Sequence, residues 1–229
     1  EGSKPVSYDV LVDFWRKIFA RDSIQDGRPV SVVGATCYNL EAPVSYEEVA
    51  AALLGLKESA PGLDGVRKKH LSGVSMLDCA AHMSLWMLIG LPPSVFKVGI
   101  VSLILKKKGT VDQGEFRPIT VSPVMSRFFQ RVLNRRLLHS WPLSSRQKAF
   151  QSGDGLADNI WLIKSLINKK KQDRKKLNLT FVDVSKAFDS VSHQSLIRAA
   201  SRMGTPPLLL NYLSDLHNDC RVHIKTDKG

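Results

Sequence analysis

Cysteine is scarce and poorly placed for cross-linking. Cys37, Cys79 and Cys220 are odd in number and far apart. They form neither a disulfide framework nor a zinc-ligand spacing, so a reducing compartment is expected. Long apolar runs are also missing. The longest, around 85–91, stops at Pro92 and Pro93 and is too short to span a bilayer, which predicts no membrane partner. The N-terminus lacks the charged, apolar and small-residue order of a secretion signal. No Walker loop, nucleophile elbow or zinc motif occurs, and the six histidines show no metal spacing. Acid is in deficit: 21 Asp and Glu face 33 Lys and Arg, a formal charge of +12. That excess points to a polyanionic partner, most simply nucleic acid, although a basic protein without such a partner has the same composition. What is plentiful is apolar content, 43% of 229 residues. It suffices for one large core or two small ones.

Hydrophobic spacing divides the chain into an α+β series. Val12, Trp15, Ile18 and Phe19 predict a helix over 7–21 with one buried stripe. Ser45 and Glu48 have capping-box spacing, and Val49, Ala52, Leu53 and Leu56 continue a helix over 45–57. Residues 58–65 break it with a proline and two glycines. A mostly buried helix over 74–90 follows, then a β-branched strand over 97–106, a basic turn at 106–109 and a returning strand at 116–121. Pro118 restricts that strand to a sheet edge or a strand end. Further helices are expected over 123–138, 157–171, 193–203 and 207–216, with a strand over 179–182 and another beginning at 220–225. Arg127, Arg131 and Arg135 are spaced by four and share a helix face.

Residues 181–189, Phe-Val-Asp-Val-Ser-Lys-Ala-Phe-Asp, carry the most chemistry. A β-branched and aromatic run, Leu179-Thr180-Phe181-Val182, leads into Asp183, and Asp189 follows Phe188. A strand ending in aspartate can present its carboxylate at a sheet edge, where hard cations bind through oxygen. Two aspartates at this spacing alone say little. The full string resembles the first metal-binding motif of reverse transcriptases. Other segments agree in the same order. Residues 48–65 resemble the helix and loop that open the fingers of non-LTR retrotransposon reverse transcriptases. Residues 101–109 with Phe116-Arg117-Pro118-Ile119 resemble their fingers hairpin, and 147–150 with 155–159 resemble the segment before the first palm motif. The resemblance spans roughly 45–215 and runs to elements that insert site-specifically, such as those of ribosomal DNA. Group II intron maturases share the general plan.

The resemblance implies a right-hand polymerase fold, helix-rich, with a fingers β-hairpin and a palm strand. It implies a helical extension and template loop at 1–70, fingers at 71–178 and a partial palm at 179–229. Asp183 and the Val184 carbonyl would hold Mg²⁺, with Asp183 catalytic. Phe188 would lie under the nucleotide sugar and leave no space for a 2′-hydroxyl. Lys106 and Arg117 would grip the incoming triphosphate, Arg by its bidentate fork and Lys as a point charge. Arg127, Arg131 and Arg135 could track a template backbone, and Gly62 and Gly65 lie in the loop that would close over it. Each has a plainer reading: a strand-end turn for Asp183, a core ring for Phe188, a solvated turn for Lys106, a solvated helix face for the arginines and an ordinary turn for the glycines. Asp189 could pair with a cation or cap the following turn. The family's Tyr/Phe-x-Asp-Asp strand does not occur.

The chain is therefore expected to be a fingers and partial-palm piece of a longer nuclear RNA-directed DNA polymerase. Its partners would be RNA template, DNA primer, dNTP and the rest of the polymerase. The alternatives are an inactive nucleic-acid-binding module, a module that self-associates through an exposed palm edge, and a maturase-type enzyme.

Overall fold

Ser45 and Glu48 open the first helix of the core. Ser45 Oγ accepts from the Glu48 amide at 3.3 Å, and Glu48 Oε2 accepts from the Ser45 amide at 3.0 Å. This complete capping box starts α2 (Tyr46–Gly55). The computed structural model describes residues 7–20, 27, 29, 35–106, 112–151, 153–184 and 187–225. Before α2 come α1 (Tyr8–Phe19) and a 3₁₀ turn at Tyr38–Glu41. After it come α3 (Lys68–Leu71), α4 (Met76–Ile89), β1 (Val98–Leu105), β2 (Phe116–Val121), α5 (Val124–Ser140) and α6 (Gly155–Gln172). The series ends with α7 (Ala187–Ser190), α8 (His193–Arg202), α9 (Pro207–His217) and β3 (Arg221–Ile224). The arrangement is helix-rich α+β.

Helices α2, α4, α5 and α9 pack around one core. Val49 and Ala52 of α2 meet Met83 and Met87 of α4, Phe128, Phe129 and Val132 of α5, and Leu209 and Tyr212 of α9, all buried. Four rings run through it edge to face. Phe96 meets Trp86 at 5.1 Å, Trp86 meets Phe129 at 5.4 Å, and Phe129 meets Tyr212 at 5.4 Å. Such pairs add about 0.5–1.5 kcal/mol each beyond the area they bury.

The core is fastened by charge at the turn before α2. Arg136 of α5 meets Glu48 with both ends of its guanidinium, Nε to Oε1 and Nη2 to Oε2, each at 2.6 Å. The same group donates to the carbonyls of Leu40, Ala42 and Pro43 at 3.1, 2.6 and 3.0 Å. Glu41, in that turn, accepts from the Leu208 and Leu209 amides at 2.9 and 3.3 Å. Its carboxylate satisfies open donors at the start of α9 and sits at the positive end of that helix.

The sheet has the order β2-β1-β3. β1 and β2 are antiparallel, with Ile104 opposite Arg117 and Leu103 opposite Pro118. Pro118 lies on an edge strand, as its missing donor requires. β3 runs parallel to β1, with Val98 opposite Arg221 and Val101 opposite Ile224. The strand expected at 179–182 does not form: these residues are irregular and outside any ladder. Phe181 and Val182 are 79% and 84% exposed. A β-branched run becomes a strand only beside a partner, and β1 already has two. Among the described residues no helix is long and apolar enough to cross a membrane.

The Arg136→Ala substitution strands the Glu48 carboxylate and three carbonyls, and should lower the unfolding free energy by about 3 kcal/mol. An unshifted urea midpoint would show that the cluster holds nothing. The Arg136 hydrogen bonds hold the Glu48 carboxyl below its ordinary range. Its stabilisation is therefore present above the ordinary carboxylate pKa and lost as pH falls through the lowered folded value. In Glu48→Gln the urea midpoint should be lower near neutrality and fall less steeply in that acid window.

Candidate functional site

Hairpin register sets the two cations. The Lys106 amide continues the ladder by donating to the Glu115 carbonyl at 2.9 Å. Strand alternation then puts Lys106, Ile104 and Arg117 on one face of the β1–β2 ribbon. Lys106 Nζ turns back to the Gly114 carbonyl at 3.0 Å, while Arg117 is exposed. The turn is shaped by Asp112, whose Oδ1 accepts from the Gly114 amide at 2.8 Å. Lys107 and Lys108, and the Gly109 of the basic turn, lie outside the described residues.

Asp183 and Val184 lie in the exposed irregular segment before the single turn of α7. Phe188, on that turn, is 82% exposed and meets Phe150 edge to face, with ring centroids 6.2 Å apart and planes at 86°. It is not a core ring. Phe150 has a φ of 59°, an uncommon backbone state for a phenylalanine that costs of order 1–3 kcal/mol. Sequence reasoning did not find this pair, since nothing in the spacing of 150 and 188 predicts contact. Ser185 and Lys186 lie outside the described residues, as does the Asp189 side chain. Among the described residues no hydrogen bond or ion pair joins Asp183 to Lys106 or Arg117.

The donor set is right in kind for Mg²⁺, a carboxylate and a neighbouring carbonyl, but too small. Among the described residues no group of three or more His, Cys, Asp or Glu could hold a metal ion. Asp183 and the Val184 carbonyl by themselves supply fewer oxygens than Mg²⁺ takes.

The arginine stripe forms as its spacing predicts, but much of it faces protein. Arg127 donates to the Ser59 hydroxyl and, at 2.8 Å, to the Ala60 carbonyl, clipping the 58–65 loop to α5. The Arg131 guanidinium lies against Gly55 at the C-terminal end of α2, where a cation is favoured. Arg135 is exposed and helps hold the Glu48 carboxyl down. Its neighbour Arg136, which sequence reasoning passed over, is the better-anchored cation. With Asn39, Glu47, Glu48 and His139, Arg135 and Arg136 line an open cavity of about 640 Å³. In the 58–65 loop, Gly62 is buried against Pro123, and a Cβ there would come within 2.8 Å of the Pro123 Cα. Gly65 is exposed with a φ of 65°, and its amide donates to the Gly62 carbonyl at 3.1 Å.

The sequence profile of the family "Reverse transcriptase (RNA-dependent DNA polymerase)" matches residues 104–229. The chain belongs to this family. Among its relatives are Pol polyproteins of retrotransposable elements. It is 28% identical over 211 residues to the retrovirus-related Pol polyprotein from the type-1 retrotransposable element R2 of Bradysia coprophila, covering 91% of this chain and 24% of that protein. Against the type-1 R2 polyprotein of Popillia japonica it is 31% identical over 187 residues, covering 82% and 26%. Against the type-2 R2DM polyprotein of Drosophila melanogaster it is 27% identical over 217 residues, covering 92% and 20%. The chain thus spans about a quarter or less of the length of these relatives.

The Gly62→Ala substitution should lower the thermal midpoint, because the new methyl meets the Pro123 backbone rather than a flexible side chain. Gly65→Ala meets no neighbour and should cost only about 1 kcal/mol, the left-handed backbone penalty. Equal midpoints for Gly62→Ala and wild type would remove the packing role assigned here.

Proposed function

We propose that this chain carries the fingers and the first metal-binding carboxylate of an RNA-directed DNA polymerase from a site-specific non-LTR retrotransposon, acting in the nucleus. In this reading 1–70 is the helical extension and template loop, 71–178 the fingers and 179–229 the first part of the palm. The observation that carries it is the register of the hairpin, with Ile104 opposite Arg117 and Lys106 two residues on. It gives two cations one shared face in a chain of the reverse transcriptase family. Arg117 meets triphosphate oxygens through its fork, and Lys106 leaves its intramolecular carbonyl to add a point charge. Asp183 and the Val184 carbonyl contribute oxygen ligands for Mg²⁺, completed by carboxylates from the rest of the palm. Phe188, held edge-on by Phe150, faces the sugar of the dNTP. RNA template and DNA primer are the polyanions that a charge of +12 attracts. Phe181, Val182 and the apolar residues of α6 await the remainder of the polymerase, and the edge of β3 is the strand through which copies could associate.

One observation favours a second reading, a module that grips nucleic acid without chemistry. Asp183 has no cluster of carboxylates around it among the described residues.

Primer extension on an RNA template, run beside RNA binding at several salt concentrations, separates the two. The 229-residue chain should bind RNA in a salt-dependent way and not extend the primer. Supplied within a full-length relative-like polyprotein, the same residues should extend it, and Asp183→Ala should abolish extension while RNA affinity stays. Failure of extension in that longer context would leave the grip-only reading. In the extending enzyme, Arg117→Ala should raise the dNTP concentration for half-maximal extension by about 10- to 100-fold, the worth of a charge-assisted hydrogen bond. An unchanged requirement would remove Arg117 from the triphosphate.

A further inference from the structure

We propose that α6 bears a stacking platform for an unpaired base, Trp161, flanked by lysines that hold the adjoining phosphates of a single-stranded nucleic acid. The inference rests on the nucleic-acid reading above and adds a contact apart from the hairpin and the Asp183 segment.

Helix α6 has no buried residue. Leu156, Ile160, Ile163 and Ile167 recur at helical spacing and make one apolar stripe. Trp161 lies about 130° round the helix from that stripe. It is 70% exposed. Lys164, Asn168 and Lys171 follow it three, seven and ten residues on, on its own side of the helix, and all three are exposed. A partner that covers the apolar stripe leaves Trp161 facing outward.

Charge selects the occupant. The one carboxylate within α6, Asp158, pairs with Lys148 at 3.0 Å, so it does not neutralise Lys164 or Lys171. A flat apolar ring with exposed lysines following it along the same side of the helix matches a strand whose bases are unpaired and whose backbone is anionic. Base–aromatic stacking with a basic track is how sequence-tolerant single-strand sites are built. A duplex keeps its bases stacked inside and offers this face only phosphates.

The test uses the whole 229-residue chain and measures binding to short oligo(U), oligo(dT) and an RNA duplex, each labelled, across salt concentrations. Trp161→Ala should weaken single-strand binding by about 5- to 100-fold and leave duplex binding unchanged. Trp161→Phe should recover most of the affinity. Oligo(U) should quench tryptophan emission in wild type more than in Trp161→Phe. Matched circular dichroism and thermal midpoints establish that the variants fold. Loss on either single-strand arm supports the platform, and the arm that loses more identifies RNA or DNA. Single-strand affinity unchanged in Trp161→Ala, with salt-dependent RNA binding intact, overturns the platform and leaves the polymerase reading standing. No RNA binding by wild type overturns both. A change in the sedimentation of the nucleic-acid-free variant, without a change in affinity, makes the face a protein interface and also overturns it.

Discussion

A guanidinium with few routes to water must find partners for its donors. Arg136 is such a group, and it finds them in one place, the Glu48 carboxylate and the carbonyls of Leu40, Ala42 and Pro43. That requirement fixes α5 against both α2 and the turn ahead of it. The same turn supplies Glu41 to the start of α9. Three helices distant in sequence thus take their relative positions from residues 40–48. The apolar core fills the space so defined, but burial is non-directional and does not by itself set the angle at which the helices meet. The charged contacts add direction to that packing, and removing either member leaves the other uncompensated.

The hairpin inherits this rigidity. β2 ends at Val121 and α5 begins at Val124, so two residues separate Arg117's strand from the helix that Arg136 anchors. At the other end, Lys97 meets Asp215 of α9 at 2.7 Å just ahead of β1. Both feet of the ribbon are therefore tied to the core, one through α5 and one through α9. The 58–65 loop joins the same frame through Arg127 and through Gly62 against Pro123.

Local chemistry was legible in the sequence, and non-local chemistry was not. The Ser45–Glu48 box, the edge placement of Pro118 and the helices α4, α5, α6, α8 and α9 all follow from short-range spacing, and they formed within a few residues of expectation, whereas the single turn of α7 was not expected. The strand expected at 179–182 failed because β-branched composition states a preference that only a neighbour can satisfy. The place beside β1 went instead to β3, whose start was legible at 220–225 but whose parallel pairing with β1 depends on a crossover no local pattern records. For the candidate site, residue identities were readable and surroundings were not. The Arg127, Arg131 and Arg135 periodicity says which residues share a face, and is silent on whether solvent or α2 lies opposite. Arg136, one position off that stripe, carries no mark of its importance, because its partners lie 88 to 96 residues away. The contact of Phe150 with Phe188 is hidden for the same reason.

The parallel pairing of β1 with β3 also has a temporal side. β1 can close its antiparallel hairpin as soon as β2 exists, but its other edge waits for Arg221, more than a hundred residues later. During synthesis on the ribosome that interval is about 5 to 20 s. Through it, one rim of the ribbon that carries Lys106 and Arg117 remains open. Tyr8 adds to the delay, since its hydroxyl donates to the Lys225 carbonyl and α1 cannot seat fully until that carbonyl arrives. The nascent chain thus assembles its helical core first and secures its earliest and latest described segments together, as a single late event of high contact order.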